Sequence, residues 1–144
     1  MFIQQISAFV ENKSGTLAEI TDVLLQSKID IRALSIADTT DFGILRMIVS
    51  APDLALAALK DAGITVSVTD VIAVAVDDAP GGLHGVLAIL SEANIGLEYA
   101  YAFTGRLAAS SAYVILRVGD NKAAVTALQA GGITLLTTDE VYAL

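Results

Sequence analysis

Two short turns in this chain carry the residue types of a binding loop. The first is Asn12-Lys13-Ser14-Gly15-Thr16-Leu17 and the second is Asp78-Ala79-Pro80-Gly81-Gly82-Leu83. Each lies between an apolar, β-rich stretch and a segment of helical periodicity. A helix that opens there leaves backbone N–H groups without carbonyl partners and turns its positive dipole end outward. Those donors suit a carboxylate, and a glycine lets it approach the main chain closely. Asn12 and Asp30 add acceptor oxygens suited to an ammonium. These are groups that hold a small zwitterion, and none of them is a nucleophile set beside a base. A plainer reading stands beside this one: Gly15 makes a turn, Asn12 caps it and Asp30 is solvated. In the second turn Asp78 keeps a polar group, but Ala79 replaces Lys13 and Gly96 replaces Asp30. The second copy is therefore the poorer site.

Composition removes most other chemistry. The 144 residues include no cysteine and one histidine, so thiolate and histidine-cluster metal sites are excluded. His84 is expected to be a surface or packing residue, and Glu11, Asp77 and Asp78 a solvated acidic turn. Gly81-Gly82 opens no dinucleotide fingerprint, and no phosphate loop is present. No cofactor is expected. The net charge of −8, with no Lys/Arg cluster, argues against nucleic acid as a partner. The composition is 55% hydrophobic, yet no apolar run approaches the roughly 20 residues a membrane span requires. The start Met1-Phe-Ile-Gln-Gln has no signal-peptide character. The expectation is a cytoplasmic protein with no membrane partner.

The elements that must position the two turns repeat as well. Ile6 to Leu17 matches Ile72 to Leu83 at an offset of 66 residues. After an insertion near Gly105-Arg106-Leu107 the offset becomes 69, where Ala58–Thr65 matches Ala127–Thr134. Each copy reads strand, helix, strand, strand, helix, strand. Leu17, Ile20, Val23 and Leu24 form the stripe of the first helix, and Thr16 with Glu19 fits a capping box at its start. Pro52 opens the second helix and Gly63 closes it. Two domains are expected, at 1–69 and 70–144. No Gly/Ser/Pro linker separates them. Glu140–Leu144 matches the start of a third repeat and is expected to add a strand at a sheet edge.

With this repeat in view, the chain resembles a pair of ACT domains. The residues that carry the likeness are Asn12-Lys-Ser-Gly15-Thr-Leu17 followed by Ile29-Asp30-Ile31, then Asp78-Ala-Pro80-Gly81-Gly-Leu83 followed by Ile95-Gly96-Leu97. The resemblance covers essentially the whole chain. It implies an α+β fold of two ferredoxin-like βαββαβ units side by side, with antiparallel sheets and helices on one face. It also implies a regulatory, allosteric protein that senses an amino acid at ACT-domain interfaces and performs no catalysis. Asn12 and Asp30 stand where such domains place ligand-contacting side chains. Two alternatives stay open. One is a regulatory subunit docking on an amino-acid biosynthetic enzyme such as acetolactate synthase. The other is a small carboxylate-using enzyme.

Assembly follows from the third strands. Leu45, Met47, Val49, Val114, Leu116 and Val118 are expected under the helices, leaving Ile44, Ile48, Tyr113 and Ile115 on an open face. A face that apolar should be covered, either by the two copies stacking on each other or by a symmetric homodimer, and the absence of a linker near Thr69-Asp70 favours the homodimer.

Overall fold

The computed structural model describes residues 2–38, 40–105, 107 and 111–144. Arg106, in the expected insertion, lies outside them. The elements are β1 (Ile3–Glu11), α1 (Thr16–Gln26), β2 (Ile31–Asp38), β3 (Phe42–Val49), α2 (Pro52–Asp61), β4 (Val66–Asp77), α3 (Gly82–Glu92), β5 (Leu97–Phe103), β6 (Ser111–Val118), α4 (Asn121–Ala130), β7 (Thr134–Leu135) and α5 (Thr138–Tyr142). The fold is α+β, two βαββαβ units of antiparallel strands. The chain divides into a first unit, Gln4–Thr69, and a second of Asp70–Leu144 joined by Phe2 and Ile3. The division falls inside β4.

In the first unit β3 lies between β2 and β1, antiparallel to both. The Phe9 N–H donates to the Thr65 carbonyl at 2.9 Å, which sets the residues entering β4 beside β1. In the second unit β6 lies between β5 and β4, and β7 pairs with β4 on its other side. Both units thus repeat one topology.

The helices settle on one face because period-two strands offer them an apolar layer. In the first unit Ile20, Leu24 and Leu59 pack onto Leu45, Met47 and Val49. In the second, Val86, Leu90 and Leu128 pack onto Val114, Leu116 and Val118. Of the expected α1 stripe, Ile20 and Leu24 are buried, but Leu17 is exposed at the outer end of the helix. Gly63 does close α2, in the left-handed region at φ +78°. Among the described residues no helix is long and apolar enough to cross a membrane.

Three expectations are corrected. Thr16 is the first residue of α1 but not its cap. Gly15 occupies that position in the left-handed region at φ 89°, and no side chain caps the helix. Glu140–Leu144 is not a strand. Thr137 accepts from the Glu140 N–H while the Glu140 carboxylate accepts from the Thr137 N–H, so a capping box starts α5 there. The Leu136 N–H donates to the Ala73 carbonyl, and Val141 is buried. The expected open face is not exposed either, since Ile48, Tyr113 and Ile115 are buried within the single chain. Tyr113 packs on Phe103 with ring centroids 5.5 Å apart. Leu144, carried by α5, converges with that Tyr113 ring on Gly105, where a Cβ would meet both.

The cap makes α5 testable. Thr137→Ala removes the oxygen that accepts from Glu140 and is expected to lower stability by about 1 kcal/mol in urea denaturation. No loss would mean that the cap does not hold the segment.

Candidate functional site

At the rim where β1 ends and α1 begins, the first unit has a cleft of about 300 Å³. Its floor is strand end and helix start: Val10, Glu11, Thr16 and Ile20. Lys13 and Glu19 bring charge, and the turn after α2 closes the far side with Gly63, Ile64 and Thr65. Phe9 and Phe42 reach the rim from the sheet face away from α1, since Ala8, Val10 and Leu45 fill the face beneath the helix. The second unit has a cleft of about 340 Å³ at the equivalent place. Val76 and Asp77 stand for Val10 and Glu11, Gly82 for Thr16, and Gly85 for Glu19. Gly132, Ile133 and Thr134 stand for the closing turn.

Local backbone rules explain why the cleft forms twice. Gly15 and Gly81 sit in the left-handed region, at φ 89° and 94°, and swing the chain from strand end to helix start. Gly63 and Gly132, both at φ +78°, do the same between the second helix and the closing strand. Neither α1 nor α3 receives a side-chain cap. By contrast, α4 is capped by Asp120, which accepts from the Ala123 N–H at 3.0 Å, and α5 by Thr137. α2, which Pro52 begins, also receives no side-chain cap, but no glycine loop precedes it. The helices that open onto the clefts thus keep first-turn donors for something else.

The residues expected from the sequence divide into groups. Lys13 and Thr16 line the first cleft, and Gly81 and Gly82 line the second. Ser14, Gly15, Leu17, Asp78 and Leu83 are exposed beside them in the same loops. Asn12 is turned to the β2–β3 connection. Its Nδ2 donates to the Thr40 carbonyl at 3.3 Å and its N–H to the Asp41 carbonyl at 2.9 Å. Asp30 is elsewhere. Its N–H donates to Ser50 Oγ at 3.0 Å and its carboxylate accepts from Arg32 at 2.8 Å.

Within one unit, Asn12 and Asp30 are therefore not brought together. Glu11 pairs with Phe42, and Ile31 pairs with Val49, at opposite ends of β3. The seven-residue step between those pairs spans about 23 Å. The joint ammonium site read from the sequence is corrected in that respect, because α1 crosses the unit between the two residues.

Sequence reasoning missed Phe9, Glu19, Phe42 and the closing turns at Gly63 and Gly132. The repeat contained the signal for the turns, since Gly63-Ile64-Thr65 matches Gly132-Ile133-Thr134 at the offset of 69. Nothing in spacing alone marks Phe42, which reaches the rim only through its strand pairing with Glu11. Among the described residues no group of three or more His, Asp or Glu side chains stands close enough to hold a metal ion.

Comparison with known proteins bears on the whole chain. A family model described as an ACT domain pair matches residues 1–140. Protein BT0572 from Bacteroides thetaiotaomicron is similar at 40% identity, over 100% of this chain and 98% of its own, with a TM-score of 0.93. The regulatory subunit of aspartate kinase from Thermus thermophilus shares the fold at 15% identity, over 89% of this chain and 91% of its own, with a TM-score of 0.66. That of Thermus flavus does so at 14% identity, over 90% and 92%, with a TM-score of 0.62. Among curated proteins, none matches the chain.

Two glycines of the second cleft differ in what they tolerate. A Cβ at Gly82 would run into the Asp77 carbonyl, whereas a Cβ at Gly85 meets open space. Gly82→Ala is expected to cost about 1–3 kcal/mol, as overpacked sites do. Gly85→Ala, inside a helix, is expected to add about 0.5–1 kcal/mol. Urea denaturation of the two variants reads both signs, and equal effects would contradict the loop geometry.

Proposed function

We propose that this chain, which belongs to the ACT domain pair family, is a regulatory module that binds an amino acid and performs no chemistry on it. One observation carries the reading. The same cleft occurs in both units, each time at the uncapped start of a helix introduced by a left-handed glycine. An α-carboxylate would accept hydrogen bonds from the first-turn N–H groups. An α-ammonium would lie toward the acidic residue at the strand end, Glu11 or Asp77. This arrangement supports holding a zwitterion and supplies no nucleophile–base pair to act on it.

The homodimer belongs to the same proposal, on other residues than the sequence pointed to. β2 stands at the edge of its sheet, and Leu34 and Ile36 on it are about half exposed. An apolar edge strand of that kind is a surface for pairing with another chain.

Two measurements test the reading. In a thermal-shift screen of the intact chain against the twenty amino acids, at least one is expected to stabilise it. At 100 times its Kd the gain is about 2.7 kcal/mol. No shift and no calorimetric heat at millimolar concentration would sink the proposal. Sedimentation equilibrium at micromolar concentration is expected to give twice the 14.9 kDa chain mass. A species of 14.9 kDa alone would remove the dimer.

A further inference from the structure

We infer that β2 pairs antiparallel with β2 of a second copy, Ser35 opposite Ser35 on the two-fold axis, and that β5 takes no part. The inference deepens the homodimer reading above and rests on it. β2 and β5 are equivalent strands of the two units. Among the described residues β2 pairs with β3 alone and β5 with β6 alone. A second copy could therefore dock by β2 on β2, by β5 on β5 or by β2 on β5.

The residues of the two strands separate these cases. Leu34 and Ile36 pair with Met47 and Leu45, which belong to the layer beneath the helices. They share that face yet remain 49% and 45% exposed. Ala33, Ser35 and Ala37 alternate onto the other face. When the helices of both copies lie on one side of a shared sheet, opposing residues point the same way, so the axis must pass at a residue. With the axis at Ser35, Leu34 meets Ile36 of the second copy, Ala33 meets Ala37, and Arg32 meets position 38, an aspartate. An axis at Leu34 would set Arg32 against Ile36, and one at Ile36 would set Leu34 against position 38. Both would lay a charge on an apolar residue. The strand is therefore complementary to itself in one register. The irregularity between Ile31 and Ala33 ends regular pairing there, so the unlike charges close the ladder at each end. Arg32 holds the Asp30 carboxylate at 2.8 Å, but that carboxylate is 69% exposed and the pair is weak enough for Arg32 to share.

β5 lacks this pattern. Glu98, Ala100, Ala102 and Thr104 stand where Arg32, Leu34, Ile36 and Asp38 stand in the first unit. A β5–β5 pair would join alanines to alanines and leave Glu98 facing Thr104. A β2–β5 pair in the equivalent register would set Glu98 against position 38, and like charges directly opposite destabilise a ladder. A β2–β2 contact uses the same patch on both copies and closes at two chains.

The chain contains no cysteine, so a single introduced thiol reports the register. Opposite residues of an antiparallel pair have Cα atoms about 4.5–5.5 Å apart, within reach of a disulfide, whereas diagonal neighbours lie about 7–8 Å apart, beyond it. Ser35→Cys treated with oxidised glutathione is expected to run as a covalent dimer on a non-reducing gel. Leu34→Cys, Ile36→Cys and Ala102→Cys are expected to run as single chains. In sedimentation equilibrium Ile36→Lys is expected to weaken the dimer about a hundredfold or more, and Ala102→Lys to leave it unchanged. Arg32→Asp and Asp38→Arg are each expected to weaken it, and together to restore it. Circular dichroism confirms that each variant is folded. No covalent dimer from Ser35→Cys, a stronger link from Leu34→Cys or Ile36→Cys, or dissociation by Ala102→Lys but not by Ile36→Lys would overturn the inference while the unaltered chain remains a dimer. A monomer of the unaltered chain would overturn both.

Discussion

The layer of side chains between helices and sheet is the constraint on which the rest of each unit depends. In the first unit Ile20, Leu24 and Leu59 meet Leu45 and Met47, all close to fully buried. Truncating one such residue to alanine typically costs about 2–5 kcal/mol, a large share of a small domain's stability. The contacts therefore hold both helices to one face. A helix held there after β1 must start at the strand's outgoing end. The left-handed glycine, the uncapped first turn and the strand end are then forced to meet at one rim. The cleft is a by-product of the core.

The same argument explains how two copies can share a cleft and differ in its lining. The buried layer repeats in the second unit through Val86, Leu90, Leu128, Val114 and Leu116. The rim residues are outside that layer, so packing does not select them. Phe9 against Ala75 and Glu19 against Gly85 are changes that leave the core untouched. Thr16 against Gly82 is a different case. The clash a Cβ would make with the Asp77 carbonyl shows that the second loop is drawn tighter than the first, which accommodates a threonine at the same place. There the backbone, not the core, excludes a side chain.

Much of the fold was legible in the chain. The period-two strands, the helical stripes, the closing glycine of α2 and the double repeat are local patterns, and local physics produces them. The failures came where two local rules competed. Thr16-x-x-Glu19 and Thr137-x-x-Glu140 both fit a capping box. At the first, Gly15 had already taken the cap position by turning left-handed, and at the second nothing preceded Thr137 to do so. Repeat logic then misassigned Glu140–Leu144 as a strand, although its own capping signal pointed to a helix. The site was less legible than the fold. Lys13, Thr16, Gly81 and Gly82 line the clefts, and the loop before a helix that carries them is visible in one dimension. Phe9 and Phe42 are 33 residues apart and share the rim only through the β1–β3 register.

Asn12 and Asp30 fail as a pair within one unit for a reason that topology already contains. A strand–helix–strand unit returns the second strand to the end at which the first began. The loop after β1 and the first residue of β2 must then lie at opposite ends of the sheet, whatever their side chains. Their present partners agree with that separation. Asn12 joins the β2–β3 connection, while Asp30 ties the start of β2 to Ser50 and Arg32. Each thus has a structural role at its own end. Within one copy, the charges that can face a single ligand are those carried by the rim itself, Glu11, Lys13 and Glu19. Because the second copy retains only the acid of that trio, as Asp77, the repeat preserves the shape of the site in both units but its full set of charges in one.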